Sequence, residues 1–380
     1  MPWIALLLFG VGMIALTWLG YPLLLWLRAR RAAPNAPAPE PTQWPRLSVI
    51  LIAHNEEAAI ARKLRNLLAL DYPPKRIEIV LACDGSSDRT EAAAQAVHDP
   101  RVRVLAFAQR RGKAACLNDA VAAAHGEVLL FCDVRQRIEL GAARLLIARL
   151  LQPGVGVVGG ELAFEAEGTR GFGHTVDAYW RYEKRVRRLE SAAGSVVGVS
   201  GALYAMRRAD YSPIPPQTIL DDVLIPMRRA MAGERVLFEA GAIAWDRPSA
   251  GLDQESRRKV RTLAGNFQLL ALEPRLLNPA ANPLFLRFVG HKLLRLAGPL
   301  FLALALFAHL MLVRDSGFWA LLLLPHLGAW ALGLLAPAVP ALKRLPLAGL
   351  ITGFVQMQLC VVRGFIDILH RPAQDIWKTR

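Results

Sequence analysis

Four short apolar stretches in the first third of the chain alternate with stretches whose apolar residues recur at helical spacing. The apolar stretches are typical of buried strands, and they are Leu47–Ala53, Ile77–Cys83, Val102–Ala106 and Glu127–Cys132. The helices predicted between them are Asn55–Leu70, Asp88–Val97 and Lys113–Ala124. Strands joined by helices are expected to be parallel. Their carboxyl ends would then meet at one edge of an α/β sheet, where such sheets bind ligands.

The pattern is less regular after residue 150. Glycine-rich turns bracket two short predicted strands, Val155–Val158 and Leu162–Phe164. Asp177–Ser191 and Ile219–Ala232 have helical spacing, and Ser195–Met206 is typical of a loop that enters a strand. We therefore expect the regular alternation of strands and helices to fade in this part of the domain.

Long uncharged runs stand near both ends of the chain. Ile4–Leu27 can cross a bilayer, and arginines follow it, which favours a retained anchor with its amino end outside and the next domain in the cytoplasm. Three further runs are Ala297–Val313, Gly317–Leu342 and Leu345–Val362. Three crossings there would put Arg371 outside, against the positive-inside tendency, so one run is expected to be interfacial or re-entrant.

These boundaries divide the chain into six predicted parts. They are an anchor at 1–28, a linker at 29–46, an α/β domain at 47–250, amphipathic helices at 251–295, membrane helices at 296–370 and a tail at 371–380. The amphipathic part rests on Gln254–Leu272, which begins with clustered basic residues and is predicted to lie in the membrane interface.

Composition narrows the class of protein. Of the 380 residues, 54% are hydrophobic, and the formal net charge is +15. Because the basic residues cluster beside apolar runs, attraction to anionic lipid headgroups explains them better than nucleic-acid binding does. The 4 cysteines form no C-x-x-C pair, which suits a reducing compartment and argues against disulfides and zinc.

Polar residues follow the first two predicted strands and suggest a nucleotide site. The His54 imidazole can stack on a base, and Glu56 can accept hydrogen bonds from ribose hydroxyls, although Asn55 is equally well explained as a helix cap. Asp84 can pair with the imide N–H of uracil, whereas the serines that follow Gly85 are better explained as a turn.

Phosphate and proton chemistry is expected farther along the same edge. Lys113 opens a helix, where backbone amides favour phosphate, and is predicted to contact a pyrophosphate. Asp133 is predicted to contact a ribose or a divalent cation, for which one carboxylate can suffice. Asp221 and Asp222 can raise each other's pKa, as a general base requires, and the alternative is an ordinary acidic helix start.

Together these residues resemble a membrane-bound family-2 glycosyltransferase with a GT-A fold, related to chitin, hyaluronan and cellulose synthases. The motifs that carry the resemblance are Ala53-His54-Asn55-Glu56 for P-x-Y-N-E, Asp84–Asp88 for D-G-S-x-D, Gly112-Lys113 for G-K, Ser200–Arg208 for G-x-x-x-x-x-R and Asp221-Asp222 for E-D. The resemblance extends over nearly the whole chain, because the family also has an anchor, an interfacial helix and terminal membrane helices.

The resemblance implies an inverting transfer of a sugar from a nucleotide-diphosphate sugar, with UDP the expected nucleotide, to an acceptor hydroxyl. It implies Asp222 as the base beside Asp221, with Mg²⁺ or Mn²⁺ at Asp133. The implied nucleotide site is His54, Asn55, Glu56, Asp84, Gly85, Lys113 and Asp133. The implied acceptor site is Gly201, Tyr204, Arg207, Arg258 and Arg261.

The resemblance also implies partners and a location. The expected partners are the nucleotide-sugar donor, a polysaccharide or lipid-linked acceptor, membrane lipids, and export or assembly proteins, with no nucleic acid. The expected location is the inner or plasma membrane, with the catalytic domain in the cytoplasm. A lipid-phosphate glycosyltransferase and a catalytically silent nucleotide-binding membrane scaffold are the alternatives.

Two departures from the family pattern change these expectations. The metal-binding D-x-D becomes Asp133-Val134-Arg135, so a cation replaces the second carboxylate and a strict metal requirement is less expected. The nearest match to the Q-x-x-R-W motif of processive synthases is Arg258–Thr262, which lacks both Gln and Trp. Long processive elongation is therefore not expected.

Overall fold

The computed structural model describes residues 1–32, 38–165, 173–247 and 252–372, so parts of the predicted linker and tail lie outside the described residues. The strands are β1 Leu47–Ala53, β2 Ile77–Asp84, β3 Val102–Phe107, β4 Val128–Asp133, β5 Arg137–Ile138, β6 Val155–Phe164, β7 Leu203–Arg207 and β8 Arg235–Asp246. The helices are α1 Pro2–Ala15, α2 Tyr21–Ala29, α3 Glu57–Leu68, α4 Thr90–Gln95, α5 Lys113–Ala123, α6 Ala142–Leu150, α7 Gly173–Ala192, α8 Asp221–Met231, α9 Leu252–Leu272, α10 Phe285–Phe288, α11 Leu294–Leu296, α12 Gly298–Leu312, α13 Gly317–Leu335 and α14 Ala348–His370.

The strands form one mixed sheet in the order β3-β2-β1-β4-β7-β6-β8-β5. The pairs β1–β2, β2–β3 and β1–β4 are parallel, as the alternation of strands and helices predicts. Strand β7 runs antiparallel to β4, with Leu203 opposite Cys132 and Arg207 opposite Val128. The start of β7 therefore lies at the edge where the parallel strands end, and its own end lies at the opposite edge.

The two predicted strands at Val155–Val158 and Leu162–Phe164 are one continuous strand, β6, so that expectation is wrong. The glycines between them lie inside the strand. Neighbouring residues occupy the space that a side chain at either glycine would need. A Cβ atom on Gly159 would lie 2.6 Å from the Val199 side chain, and one on Gly160 would lie 2.5 Å from a backbone oxygen. These glycines permit close packing of the strand and do not end it.

Helices apolar enough to span a membrane stand at both ends of the chain, as predicted. They are Pro2–Ala29, in which a π-helical turn joins α1 to α2, Gly317–Leu335 and Ala348–His370. The predicted run Ala297–Val313 is instead half of a bent pair, Phe285–Leu296 and Gly298–Leu312, whose axes differ by 57°. A bent pair can be a broken span or a re-entrant segment. It is therefore in keeping with the prediction that one of the carboxyl-terminal runs is interfacial or re-entrant.

Helix α9 connects the α/β domain to the apolar helices. It packs along α14, where a Cβ atom on Gly364 would lie 2.9 Å from the backbone nitrogen of Ala264. The rings of Phe267 and Phe365 add a contact with centroids 5.1 Å apart. The glycine allows the two helices to approach closely, and this contact holds α9 over one edge of the sheet.

Candidate active site

A crevice of about 640 Å³ lies at the edge where β1, β2 and β4 end. On the side of the predicted nucleotide site it is lined by His54, Glu56, Asp84, Lys113 and Asp133. On the side of the predicted base and acceptor it is lined by Gly201, Asp221, Asp222, Arg258 and Arg261. The sheet, α8 and α9 thus bring together residues that are far apart in the chain.

Lys113 stands at the centre of the crevice, on the first turn of α5. Its Nζ lies 3.2 Å from Asp133 Oδ1 and 3.3 Å from Asp221 Oδ1. Burial opposes the charge of Lys113, but Asp133, Asp221 and Asp222 outweigh it and raise its pKa above the usual range for lysine. Lys113 is therefore a fixed positive charge, held where the chain would meet a phosphate.

Asp221 is the buried member of the acidic pair, with 3% of its surface exposed. Burial raises its pKa to about 6 although Lys113 acts to lower it. Its Oδ2 atom is buried and has no hydrogen-bond partner among the residues described. The side chain therefore lies in the buried part of the crevice wall, where it pairs with Lys113.

Asp222 faces the crevice from the start of α8. Its Oδ2 accepts a hydrogen bond from the backbone N–H of Gly201 at 3.0 Å, and its backbone oxygen accepts one from Val199 at 3.0 Å. The loop before β7 therefore fixes the carboxylate in place. A carboxylate so fixed at the wall of a crevice can accept a proton from a bound hydroxyl group.

Asp84 binds the loop before α5, and its predicted pairing with uracil stays a prediction. Its two carboxylate oxygens accept hydrogen bonds from the backbone N–H groups of Arg111, at 2.5 Å, and Gly112, at 3.0 Å. Gly85 has φ +56°, and a Cβ atom there would lie 2.3 Å from the backbone nitrogen of Arg110. Both residues hold the loop that leads into Lys113, and both carboxylate oxygens of Asp84 are engaged in this structure.

The loop after β1 is tied to the loop after β2. The Asn55 side chain accepts a hydrogen bond from the backbone N–H of Ser87 at 2.8 Å, and the Glu56 backbone donates one to Thr90 at 2.7 Å. His54 Nδ1 lies 2.7 Å from the backbone oxygen of Asp84. Asn55 therefore has a structural role in joining the two loops, while His54 and Glu56 line the crevice.

Two predicted acceptor residues lie away from the crevice, and this corrects the prediction. Tyr204 is fully buried and stacks on Phe131, with ring centroids 4.5 Å apart. Arg207 donates hydrogen bonds to the backbone oxygens of Val155, at 2.6 Å, and Leu150, at 2.8 Å. Because β7 is antiparallel to β4, only its start reaches the crevice, and Arg207 is carried to the opposite edge of the sheet.

The site offers few ligands for a metal ion. Asp133 has 42% of its side chain exposed toward the crevice, and Lys113 lowers its pKa although burial opposes this. Arg135, in place of a second carboxylate, pairs with buried Asp246 at 2.5 Å. Within the described ranges, no three His, Cys, Asp or Glu side chains are grouped to hold a metal. Asp133 is thus the one predicted ligand, and it fits an ion that takes its other ligands from substrate and water.

Sequence reasoning missed a buried ionic network beside the crevice. Glu183 pairs with Arg295 and, at 3.2 Å, with His291, while Glu190 lies 2.8 Å from the other nitrogen of His291. Both glutamates are buried. Arg295 lowers the pKa of Glu183 well below its usual range, although burial raises it. The partners are distant in sequence, and no local pattern could have joined them.

Part of the chain matches a known protein family. Residues 48–213 match the sequence profile of Glycosyl transferase family 2. A beta-monoglucosyldiacylglycerol synthase of Synechocystis sp. is 27% identical over 219 residues, which cover 53% of this chain and 45% of that protein. A poly-beta-1,6-N-acetyl-D-glucosamine synthase of Staphylococcus aureus is 24% identical over 230 residues, which cover 59% and 55%. The chain thus spans about half the length of the curated relatives it matches.

A solved structure resembles the whole chain. The mannosyltransferase PcManGT from Pyrobaculum calidifontis, in complex with GDP-Man and Mn²⁺, is 25% identical and superposes with a TM-score of 0.75. The match covers 96% of this chain and 99% of that one. The α/β domain with its apolar helices therefore has the GT-A fold that the sequence predicts.

Proposed function

We propose, from the premise that this chain is a family 2 glycosyltransferase, that it transfers a sugar from a nucleotide-diphosphate sugar to a hydroxyl group of a membrane-bound acceptor. One observation carries the proposal: Lys113 and Asp222 line the same crevice, with Asp133 beside the lysine. A positive charge for a departing diphosphate and a carboxylate for an acceptor proton thus occupy one site.

The proposed reaction is a direct displacement with inversion at the anomeric carbon. Asp222 accepts the proton of the acceptor hydroxyl as that oxygen bonds to the anomeric carbon. The bond from this carbon to the diphosphate oxygen breaks, and the nucleoside diphosphate leaves with the bonding electrons. Lys113 stabilises the charge that develops on the leaving group. Asp221 is a positioning residue, because its Oδ1 lies 3.3 Å from Lys113 Nζ and holds the lysine in place.

A membrane-bound acceptor suits the surroundings of the site. Helix α9 covers the crevice with Arg258 and Arg261 and packs on the apolar helix α14. It carries no tryptophan to stack on a growing polysaccharide, so we propose transfer of a single sugar or a few sugars. One of the similar proteins is by its name a glycolipid synthase, which is in keeping with a lipid acceptor.

A divalent cation fits the donor side of the crevice, held by Asp133 and otherwise by diphosphate oxygens and water. When bound, it would supply positive charge to the departing diphosphate. We expect chelation to lower sugar transfer and Mn²⁺ or Mg²⁺ to restore it. Asp133→Asn should raise the half-saturating metal concentration about tenfold. Equal transfer with chelator and with metal would contradict the metal proposal.

The first test is nucleotide release by the full chain in lipid nanodiscs, across a panel of UDP- and GDP-linked sugars. Asp222→Asn should lower release in the presence of acceptor by at least about a hundredfold, because the acceptor proton loses its base. Donor affinity, measured by equilibrium binding, should change little. Asp71→Asn is the control, since Asp71 is an exposed carboxylate outside the crevice.

Two outcomes would contradict the assignment. Wild-type turnover in Asp222→Asn would show that the acceptor needs no base, as a lipid phosphate would not. Nucleotide binding without release from any donor, whatever acceptor is supplied, would favour the silent scaffold.

A further inference from the structure

The crevice continues past Asp222 toward the apolar helices. Its wall there includes Arg187 of α7, Lys292 from the turn before α11, and the apolar side chains of Leu296 and Met357. The chemistry of sugar transfer proposed above uses neither basic residue. This end of the crevice therefore combines two cations with an apolar surface.

Arg187 differs from the other basic residues of its part of α7. Lys184 and Arg188 pair with Glu161 at 2.9 and 2.7 Å, and Arg185 is exposed to solvent. Arg187 is half-buried, and over the described ranges its guanidinium has neither a hydrogen bond nor an ion pair. Its charge acts on the Glu183 carboxylate, but it makes no direct contact with it.

Lys292 likewise makes no direct ion pair among the described residues, although the charges of Glu183 and Asp222 act on it. The two buried glutamates of α7 are already engaged, Glu183 by Arg295 and His291, and Glu190 by His291. The Lys292 ammonium is half-buried, and no described residue accepts a hydrogen bond from it. Both glutamates thus have direct partners in a neighbouring network, while Lys292 lines the crevice.

Two half-buried cations near each other are unfavourable unless an anion completes the site. The charges of Arg187, Glu183 and Asp222 all act on Lys292, so the two cations lie near each other and near the proposed base. A guanidinium with an ammonium is a typical phosphate-binding pair, and Leu296 and Met357 offer an apolar surface to an alkyl chain.

We propose that Arg187 and Lys292 bind a phosphate group of a lipid-linked acceptor, between the membrane and the site of sugar transfer. The bound phosphate holds the acceptor hydroxyl at Asp222. This inference rests on the proposed function, because it names the acceptor class of the same site.

The test uses the full chain in phosphatidylcholine nanodiscs with matched pairs of synthetic acceptors. Each pair carries the same sugar (glucose, mannose or N-acetylglucosamine) and the same alkyl chain, joined by a phosphate or by a neutral ether. The wild type should show a KM at least about tenfold lower for the phosphate-linked acceptor. Arg187→Gln and Lys292→Gln should each raise that KM about tenfold and leave the KM of the donor and of the neutral acceptor unchanged. Arg185→Gln, the same charge change on the same helix, should alter none of them.

The acceptor pairs distinguish a phosphate site from a structural role of the two cations. Equal loss with both acceptors would assign the cations a structural role, and a wild type that does not discriminate between the acceptors would also overturn the proposal. In a third outcome, activity depends on Arg187 and Lys292 only when phosphatidylglycerol is added, whichever acceptor is used. In that case the site binds a membrane headgroup, and the assignment to the acceptor is wrong.

Binding of a fluorescent phosphate-linked acceptor without donor separates this inference from the proposed function. Binding that requires Arg187 and Lys292, without turnover of any donor, would support the phosphate site and contradict the function. Turnover without any such requirement would support the function and overturn the phosphate site.

Discussion

Burial gives the two adjacent aspartates at the start of α8 different properties. Asp221 is 3% exposed and pairs with Lys113, whereas Asp222 lines the crevice and is held by the backbone of Gly201. Successive side chains on a helix point in directions about 100° apart, so two neighbours cannot both face the same substrate. One carboxylate can therefore be the base while the other positions the lysine.

The stability of the protein should depend on the ionisation of Asp221. Its pKa, raised to about 6 by burial, lies above the value of about 4 expected in the unfolded chain. Between these values the native state binds the proton more tightly, so stability should fall as pH rises from about 4 to about 6 and then stay level. Two pKa units correspond to about 3 kcal/mol in the free energy of unfolding.

Asp221→Asn should remove this fall. The measurement is the unfolding midpoint of the wild type and the variant in nanodiscs from pH 4 to pH 8. Lys113 lowers the pKa of Asp133 despite burial, so Asp133 titrates below this window and acts with the opposite sign. A difference between the two proteins that is the same at every pH would mean that Asp221 is ionised throughout.

Single residues near the site illustrate the limits of motif reasoning. The motif predicts Asp84 at a nucleobase, but its carboxylate accepts two backbone hydrogen bonds, because a carboxylate at a strand end suits either partner. The motif also predicts Tyr204 at an acceptor, but its ring stacks on Phe131 in the core. In both cases the residue type is compatible with two environments, and the neighbours determine which one it has.

Among the helices, the contact between α9 and α14 positions the basic side chains over the crevice. The close approach depends on Gly364, whose added Cβ would meet the backbone of Ala264 and Val260 at 2.9 and 3.0 Å. Backbone atoms cannot move aside without moving the helix. A large side chain at this position should therefore displace α9, together with Arg258 and Arg261.

Gly364→Leu should lower kcat/KM for sugar transfer by about tenfold to a hundredfold, because a small displacement of positioned groups is costly. Gly328→Leu on α13 is the matched control, since an added Cβ there meets nothing within 4 Å. The two variants are compared at equal amounts of protein inserted in the membrane. If both have wild-type activity, the packing of α9 on α14 does not position the site.

The hydrophobic pattern of the sequence predicts the strands and helices well where each element buries its own apolar residues in the core. The bounds of β1 agree to the residue because it is an almost fully buried apolar run, and those of α5, whose buried residues recur at helical spacing, differ by one. The prediction is wrong at β6, where Gly159 and Gly160 look like a turn. Their need for glycine arises from side chains packed on the strand, and those side chains come from other parts of the chain.

For the molecule in its membrane, the packing of the apolar helices indicates a topology. Trp3 packs on Phe307 with centroids 5.7 Å apart, whereas Tyr21 lies against Gly290, so α12 runs antiparallel to the first helix. Helix α14 instead lies on α9, where the Cys360 sulfur is 3.7 Å from the Ser256 hydroxyl oxygen. Helix α14 is long and apolar enough to span, but its packing on the basic helix α9 predicts that it lies at the membrane surface while α12 and α13 cross.

This topology would put the α/β domain and the carboxyl end on the same side of the membrane, and the positive-inside tendency predicts that this side is the cytoplasm. The native cysteines are buried, so an added cysteine reports its own exposure to a membrane-impermeant thiol reagent. Arg314→Cys should be labelled in intact cells, whereas Arg344→Cys and Arg371→Cys should be labelled only after the membrane is opened. Labelling of Arg371→Cys from outside would mean that α14 crosses.

Local patterns in the chain were enough to establish the fold class, the apolar helices at both ends, and the residues Lys113, Asp133 and Asp222 that meet in one crevice. These follow from local causes, since periodicity sets the elements and parallel strands bring their ends to one edge. The antiparallel direction of β7, the binding of Asp84 to its own loop, and the placement of Arg187 and Lys292 in one crevice became visible only in the folded chain. Those facts depend on contacts between residues far apart in the chain, and the free energy of such contacts leaves no periodic pattern in the sequence.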